Sequence, residues 1–137
     1  MVRLTFFTTV VATVFAAFAT PIPGENVTVL EKRTTHSGRG TWFDVGLGAC
    51  GETNVNSDHI VAISSQRYGN GGNCGQWIHI TNDNNGKSAW GLTRDECMGC
   101  GEGDLDMSPS LFQMLGTLDQ GVLSISWHFE RMGFTPS

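Results

Sequence analysis

Beyond residue 40, apolar and polar residues alternate at a period of two through much of the chain, and a helical spacing occurs once. Trp77-Ile78-His79-Ile80-Thr81 alternates strictly and predicts a strand. Asp83-Asn84-Asn85-Gly86 supplies the residues of a tight hairpin turn, and residues 87–93 return as the partner strand. A last strand is predicted over residues 122–129. Leu123, Ile125, Trp127 and Phe129 take one face, and Ser124, Ser126 and His128 take the other. His59 to Ser64 is a further strand, and Thr41-Trp42-Phe43 is a short β-prone run. Gly46, Gly48 and Gly51 mark a loop that bends closely around Cys50, and the Gly/Asn-rich residues 67–75 read as a second loop. The helix starts at Ser108, a good N-cap, with Pro109 at its first position; Leu111, Phe112 and Leu115 share a face, and Gly116 stops it. Half a dozen short strands and one short helix predict an all-β fold, a small closed barrel, because closure removes exposed edges.

The first residues follow another pattern. Arg3 precedes an apolar run from Leu4 to Phe18 that is too short for a comfortable membrane span, and Ala17-Phe18-Ala19 is a small-x-small cleavage site. Residues 1–19 therefore read as a secretory signal peptide, and the protein is expected to be secreted and extracellular. Residues 20–33 carry Pro21, Pro23 and Gly24 and end in Lys32-Arg33, so they read as a propeptide closed by a dibasic processing site. The sequon Asn26-Val27-Thr28 falls inside that segment. Residues 34–137 then form a single domain with one modest core.

Charge and cysteines narrow the chemistry. The formal net charge is −5, from 8 Lys and Arg against 13 Asp and Glu. With no basic cluster, neither nucleic acid nor an anionic membrane is expected as a partner. The four cysteines, Cys50, Cys74, Cys97 and Cys100, all follow the dibasic pair. In a secreted domain they imply two disulfides, with three connectivities open. Cys97-x-x-Cys100 has zinc spacing, but Cys50 and Cys74 form no second such pair and the histidines are scattered, so no metal site and no cofactor is expected. Gly99 to Gly103 lacks the Lys and the preceding strand of a nucleotide loop. Met98, Met107, Met114 and Met132 read as packing.

The densest chemistry lies between Asp95 and Pro109, read as a loop. Cysteines, glycines and carboxylates crowd there, and Asp106 stands two residues before the helix N-cap. The helix start is expected to favour its negative charge. An acidic, solvated turn is the competing reading.

The ordered set Gly40-Thr41-Trp42-Phe43, Gly48-Ala49-Cys50-Gly51, Asn73-Cys74-Gly75, Thr93-Arg94-Asp95-x-Cys97-x-Gly99-Cys100, Asp104-Leu105-Asp106-Met107-Ser108-Pro109 and Ile125-x-Trp127-x-Phe129 resembles the double-psi β-barrel of expansins, barwin-like and rare-lipoprotein-A-like proteins, in particular the small fungal loosenins. The resemblance implies a six-stranded barrel, braced by disulfides, with an open groove that binds and loosens cell-wall polysaccharide such as cellulose or chitin without hydrolysis. It implies functional roles for Thr41, Asp95 and Asp106, and disulfides Cys50–Cys74 and, by exclusion, Cys97–Cys100. The groove Tyr of the family falls on Cys97 here. Trp42, Tyr68, Trp77 and Trp90 are the candidates for stacking on sugar rings, with Tyr68 expected to be exposed and Trp127 in the core. Inverting hydrolysis needs two carboxyls about 6.5–9.5 Å apart. The base position of related endoglucanases falls on Val45, and Asp44 is one residue early, which in a strand is the wrong face. A conventional hydrolase is therefore not expected. Two other readings stay open: a secreted protease inhibitor or host-interaction barrel working through loops such as residues 67–73, and a weak glycoside hydrolase or lytic transglycosylase.

Overall fold

Short strands with one apolar face bury it most completely by curling until the first pairs with the last. The computed structural model describes residues 33–137, and it shows that closure. The expected signal peptide, the sequon and Lys32 lie outside the described residues. Strand β1 is His36–Trp42, β2 is Ile60–Ser64, β3 is Trp77–Asn82, β4 is Ser88–Cys97, β5 is Leu105–Met107 and β6 is Leu123–Phe129. Two short helices, α1 (Ser65–Tyr68) and α2 (Pro109–Leu115), and a 3-10 turn at Leu118–Gln120 connect them. The barrel order is β1-β5-β2-β4-β3-β6. The β1/β5 and β2/β4 pairs are parallel and the other four are antiparallel.

The alternation seen in the sequence sets the interior. Ile78 and Ile80 of β3 and Ile125 and Trp127 of β6 point inward and are buried. Leu111, Phe112 and Leu115 of α2 join the same core. Each contributes about 1.5–3 kcal/mol by leaving water. At two strand positions glycine leaves room for core side chains that pack against the backbone. A Cβ on Gly40 would lie 2.7 Å from Met107 Cε, and one on Gly91 would run into Val61 and Leu111 where α2 packs on β4.

The structure departs from the sequence expectations in six places. Strand β1 starts at His36, well before Thr41, although Gly38 and Gly40 lower its strand propensity; barrel pairing with β6 overrides them. Arg67 and Tyr68, expected in a loop, are the last residues of α1. Strand β4 runs on through Asp95 to Cys97, and β5 lies inside the stretch read as loop. Ser108 precedes α2, but its hydroxyl makes no cap; it accepts the Ile60 N–H at 3.2 Å. Met107 is core as expected, whereas Met98, Met114 and Met132 are exposed.

The disulfides are Cys50–Cys74 and Cys97–Cys100. The first ties the residue 43–59 loop to the turn before β3. Its cysteines are 24 residues apart, which on chain-entropy grounds stabilises by about 3–4 kcal/mol. Among the described residues no helix is long and apolar enough to cross a membrane.

Candidate functional site

A single row of residues crosses four neighbouring strands on the outer face of the barrel. Thr41 of β1 pairs with Asp106 of β5, Asp106 with Ala62 of β2, and Ala62 with Asp95 of β4. Directly opposed residues point to the same face, so Thr41, Asp106 and Asp95 converge there. The β2/β4 register makes this possible. Val61 faces Thr93, yet Ala62 faces Asp95, because a bulge takes up Arg94. Without that extra residue Arg94 would stand in the row. The small side chain of Ala62 leaves the floor open between the carboxylates, whose backbones lie two strand spacings, about 10 Å, apart.

Asp106 is half-buried, and its Oδ1 accepts the Thr41 hydroxyl at 2.9 Å. Burial holds its carboxyl above the usual aspartate range; the Asp95 charge pushes the same way, against the Thr41 hydroxyl and the Met107 N–H, which pull it down. The helix start therefore does not decide its charge; burial does. Asp95 is held differently. Its Oδ1 accepts the N–H groups of Ala49 and Glu96, both at 2.8 Å. The Ala49 bond draws the glycine-rich loop onto β4, and Gly48 passes so close to the Arg94 carbonyl that no Cβ would fit. This arrangement supplies a carboxyl that keeps its proton to a higher pH than an ordinary aspartate, beside a hydroxyl and a fixed acceptor. It can donate a hydrogen bond or a proton to a glycosidic or hydroxyl oxygen.

The row continues into a half-open cleft of about 270 Å³, lined by Arg39, Thr41, Cys97, Gly99, Cys100 and Asp104. The Cys97–Cys100 disulfide forms one wall, with exposed Met98 at the tip of its turn. Asp104 is structural. Its two oxygens accept the backbone N–H groups of Arg39 at 2.8 Å and Gly101 at 2.9 Å, so it does not simply face solvent. Sequence reasoning missed Arg39 and Ala62. Period-two spacing from Thr41 was the available signal for Arg39; only the register shift reveals Ala62.

The candidate aromatics separate. Trp77 lies half-buried on the outer face of β3 opposite Leu92, which pairs on its other side with Ile60, one row from Ala62. Tyr68 packs against the core, and its hydroxyl donates to the Ala49 carbonyl at 3.0 Å, so it braces the loop and is not the exposed residue expected. Trp42 follows Thr41 and therefore leaves the strand on the other side; its indole N–H donates to Leu118 O at 3.1 Å. Trp90 lies roughly 16 Å along β4 from Asp95, packed at a tilt against His79 and Phe134. Trp127 is buried, as expected. Asp44 accepts a hydrogen bond from Asn56, and the backbone of Val45 bonds the same Asn56, so the loop holds no carboxylate at Val45.

Known proteins place this geometry. No protein-family model matches the chain. It is 31% identical over 103 residues to the papain inhibitor of Streptomyces mobaraensis, covering 69% of this chain and 71% of that protein. It is 34% identical over 89 residues to expansin-like protein 3 of Dictyostelium discoideum, covering 58% of this chain and 26% of that protein. Among solved structures, a mutant Clavibacter michiganensis expansin in complex with cellohexaose superposes with a TM-score of 0.67 at 28% identity, covering 76% of this chain and 54% of that one. The chain belongs to the expansin-like double-psi β-barrel family. It spans about a quarter to a third of the length of the first curated relatives it matches. The structure of the Streptomyces papain inhibitor is matched over 96% of its chain, with a TM-score of 0.64. In this expansin-like barrel the residues the family resemblance singled out, Thr41, Asp95 and Asp106, stand in one row, whereas Trp42, Tyr68 and Trp90 do not join them.

Proposed function

We propose that this expansin-like barrel is secreted, binds an insoluble cell-wall polysaccharide along the face floored by Thr41, Asp106, Ala62 and Asp95, and loosens it without hydrolysis. The observation that carries the reading is Asp106 itself: a half-buried carboxyl with a raised pKa, bonded to Thr41 and open toward Asp95 across a small residue. A protonated carboxyl there competes for the interchain hydrogen bonds that hold a glycan network together. The related expansin solved with cellohexaose supports a glycan as the partner class. Trp77, one row away, offers an apolar face for a sugar ring.

The test incubates the purified protein with a panel of insoluble glycans that includes cellulose and chitin. Bound protein, released sugar and weakening of filter paper are measured in parallel. The reading expects binding to at least one glycan, weakening, and no released sugar. Released oligosaccharide would favour a weak hydrolase or lytic transglycosylase.

The match to the papain inhibitor favours a second reading, a protease partner bound through surface loops. Arg67 is bonded to Glu102 and lies over the Trp127 ring, which leaves the Gly/Asn turn at residues 69–73 as the free part of that surface. Inhibition of a papain-type protease without affinity for any glycan would support it.

A further inference from the structure

Strand β1 carries its pairing with β6 toward the start of the described chain, where it meets a buried carboxylate. The register runs from Gly40 opposite Leu123 to His36 opposite Trp127. Continued in the same sense, it sets Thr34 across from Phe129 and Arg33 across from Glu130. The Glu130 N–H donates to Trp77 O at 2.8 Å, so this residue is still held against β3. Glu130 is 5% exposed. Its carboxylate meets Arg33 Nη2 at 3.4 Å, accepts the Trp90 indole N–H at 3.4 Å and lies 3.3 Å from His128 Nε2. Of these groups only the guanidinium is a cation at every ordinary pH.

Arg33 is also the residue after which the sequence places a dibasic cut. We infer that this cut exchanges one cation for another on Glu130: the Arg33 guanidinium leaves with the upstream segment, and the new α-ammonium of Thr34 pairs with the carboxylate. In the cut, a secretory protease adds water across the Arg33–Thr34 peptide bond. The carboxylate stays on Arg33, and the freed Thr34 amine takes up a proton. Two residues before the first observed pair, Thr34 follows directly on Arg33, whose guanidinium already reaches Glu130, so its amine is freed within a short reach of the carboxylate. A carboxylate this buried is costly without a cation. Glu130 thereby anchors the processed N-terminus and the start of β1, a role separate from the groove.

The experiment compares two full chains secreted from a host with dibasic processing: the native chain, and Lys32→Ala, which removes the dibasic signal and keeps Arg33. Glu130→Gln is made in the native chain. N-terminal sequencing, melting midpoints and the acylation rate of the N-terminal amine are followed against pH. A guanidinium does not titrate in this range, whereas an α-ammonium has an ordinary pKa of about 7.7–8.0. Pairing raises the folded value, so its stabilisation is present below the unfolded pKa and is lost as pH rises through the folded one. The native chain is expected to start at Thr34, to titrate that amine above about 8, and to lose roughly 4 °C or more of midpoint relative to Lys32→Ala between about pH 7 and pH 10. Glu130→Gln returns the amine to its ordinary titration. His79 and His128 also lie on this side of Glu130, and the native and Lys32→Ala chains share them, so their contribution is common to both. If Glu130→Gln fails to fold, the comparison of the native and Lys32→Ala chains stands alone. A secreted chain starting elsewhere, a midpoint difference independent of pH, or an amine that titrates alike in the native and Glu130→Gln chains overturns the inference.

Discussion

Asp106 on β5 and Glu130 just beyond β6 are both carboxylates set against the outer wall of one barrel, and their neighbours differ in kind. Around Glu130 stand a guanidinium, an indole N–H and an imidazole. Around Asp106 the side-chain donor is one hydroxyl, and the charge that acts on it is another carboxylate, Asp95. Burial costs any carboxylate its hydration. Where donors and a cation return that energy, the group becomes scaffold; where they return part of it, the group holds its proton to a higher pH than an ordinary aspartate and stays available to a ligand. The same residue chemistry thus gives an anchor in one place and a candidate acid in another.

The contrast can be broken from either side. The largest loss of stability is expected from opening the Cys50–Cys74 loop. Replacing both cysteines with serine should cost about 3–4 kcal/mol in denaturant midpoints. Glu130→Ala should follow at about 2–3 kcal/mol, since it strands the Trp90 and His128 donors, while glycan binding by the folded fraction stays near native. A Glu130→Ala protein as stable as the native one would remove Glu130 from the scaffold. Asp104→Asn should cost about 1 kcal/mol: the amide keeps one acceptor oxygen and turns its NH2 toward a backbone N–H that the carboxylate now satisfies. Asp95→Asn removes a charge that raises the Asp106 pKa, so the smallest effect is a shift of the Asp106 titration toward lower pH, read from its carboxyl carbon by NMR. An upward shift would show that Asp95 does not act on Asp106 through its charge.

Much of the barrel was legible in the sequence, for a physical reason. Strands β3 and β6 bury one face, so Ile78, Ile80, Ile125 and Trp127 had to alternate with polar residues. Strand β5 was not legible. Leu105-Asp106-Met107 is three residues long inside a glycine-rich acidic run, and it is a strand only because β1 and β2 flank it. The chemistry of Asp106 had the same limit. A helix start two residues on suggested a stabilised anion, whereas the burial that reverses this comes from strands distant in sequence. Thr41 and Asp95 came through the family resemblance, but the bulge at Arg94 that turns Asp95 into the row has no local signature. Tyr68 was misplaced because a Gly/Asn-rich neighbourhood reads as exposed, while its hydroxyl is held by the Ala49 carbonyl.

The most direct measurement is made on Asp106→Asn, with thermal midpoint and weakening of a cellulose or chitin network determined on the same preparation. Because the folded pKa of Asp106 is raised, the native protein loses stability as pH rises through it, and an amide escapes that loss while it still accepts from Thr41. The midpoints should therefore agree near pH 3, below the raised pKa, and the asparagine protein should be no less stable, within about 1 kcal/mol, near pH 7. Weakening should be abolished. An Asp106→Asn protein that folds and weakens the network as the native one does would contradict the groove mechanism.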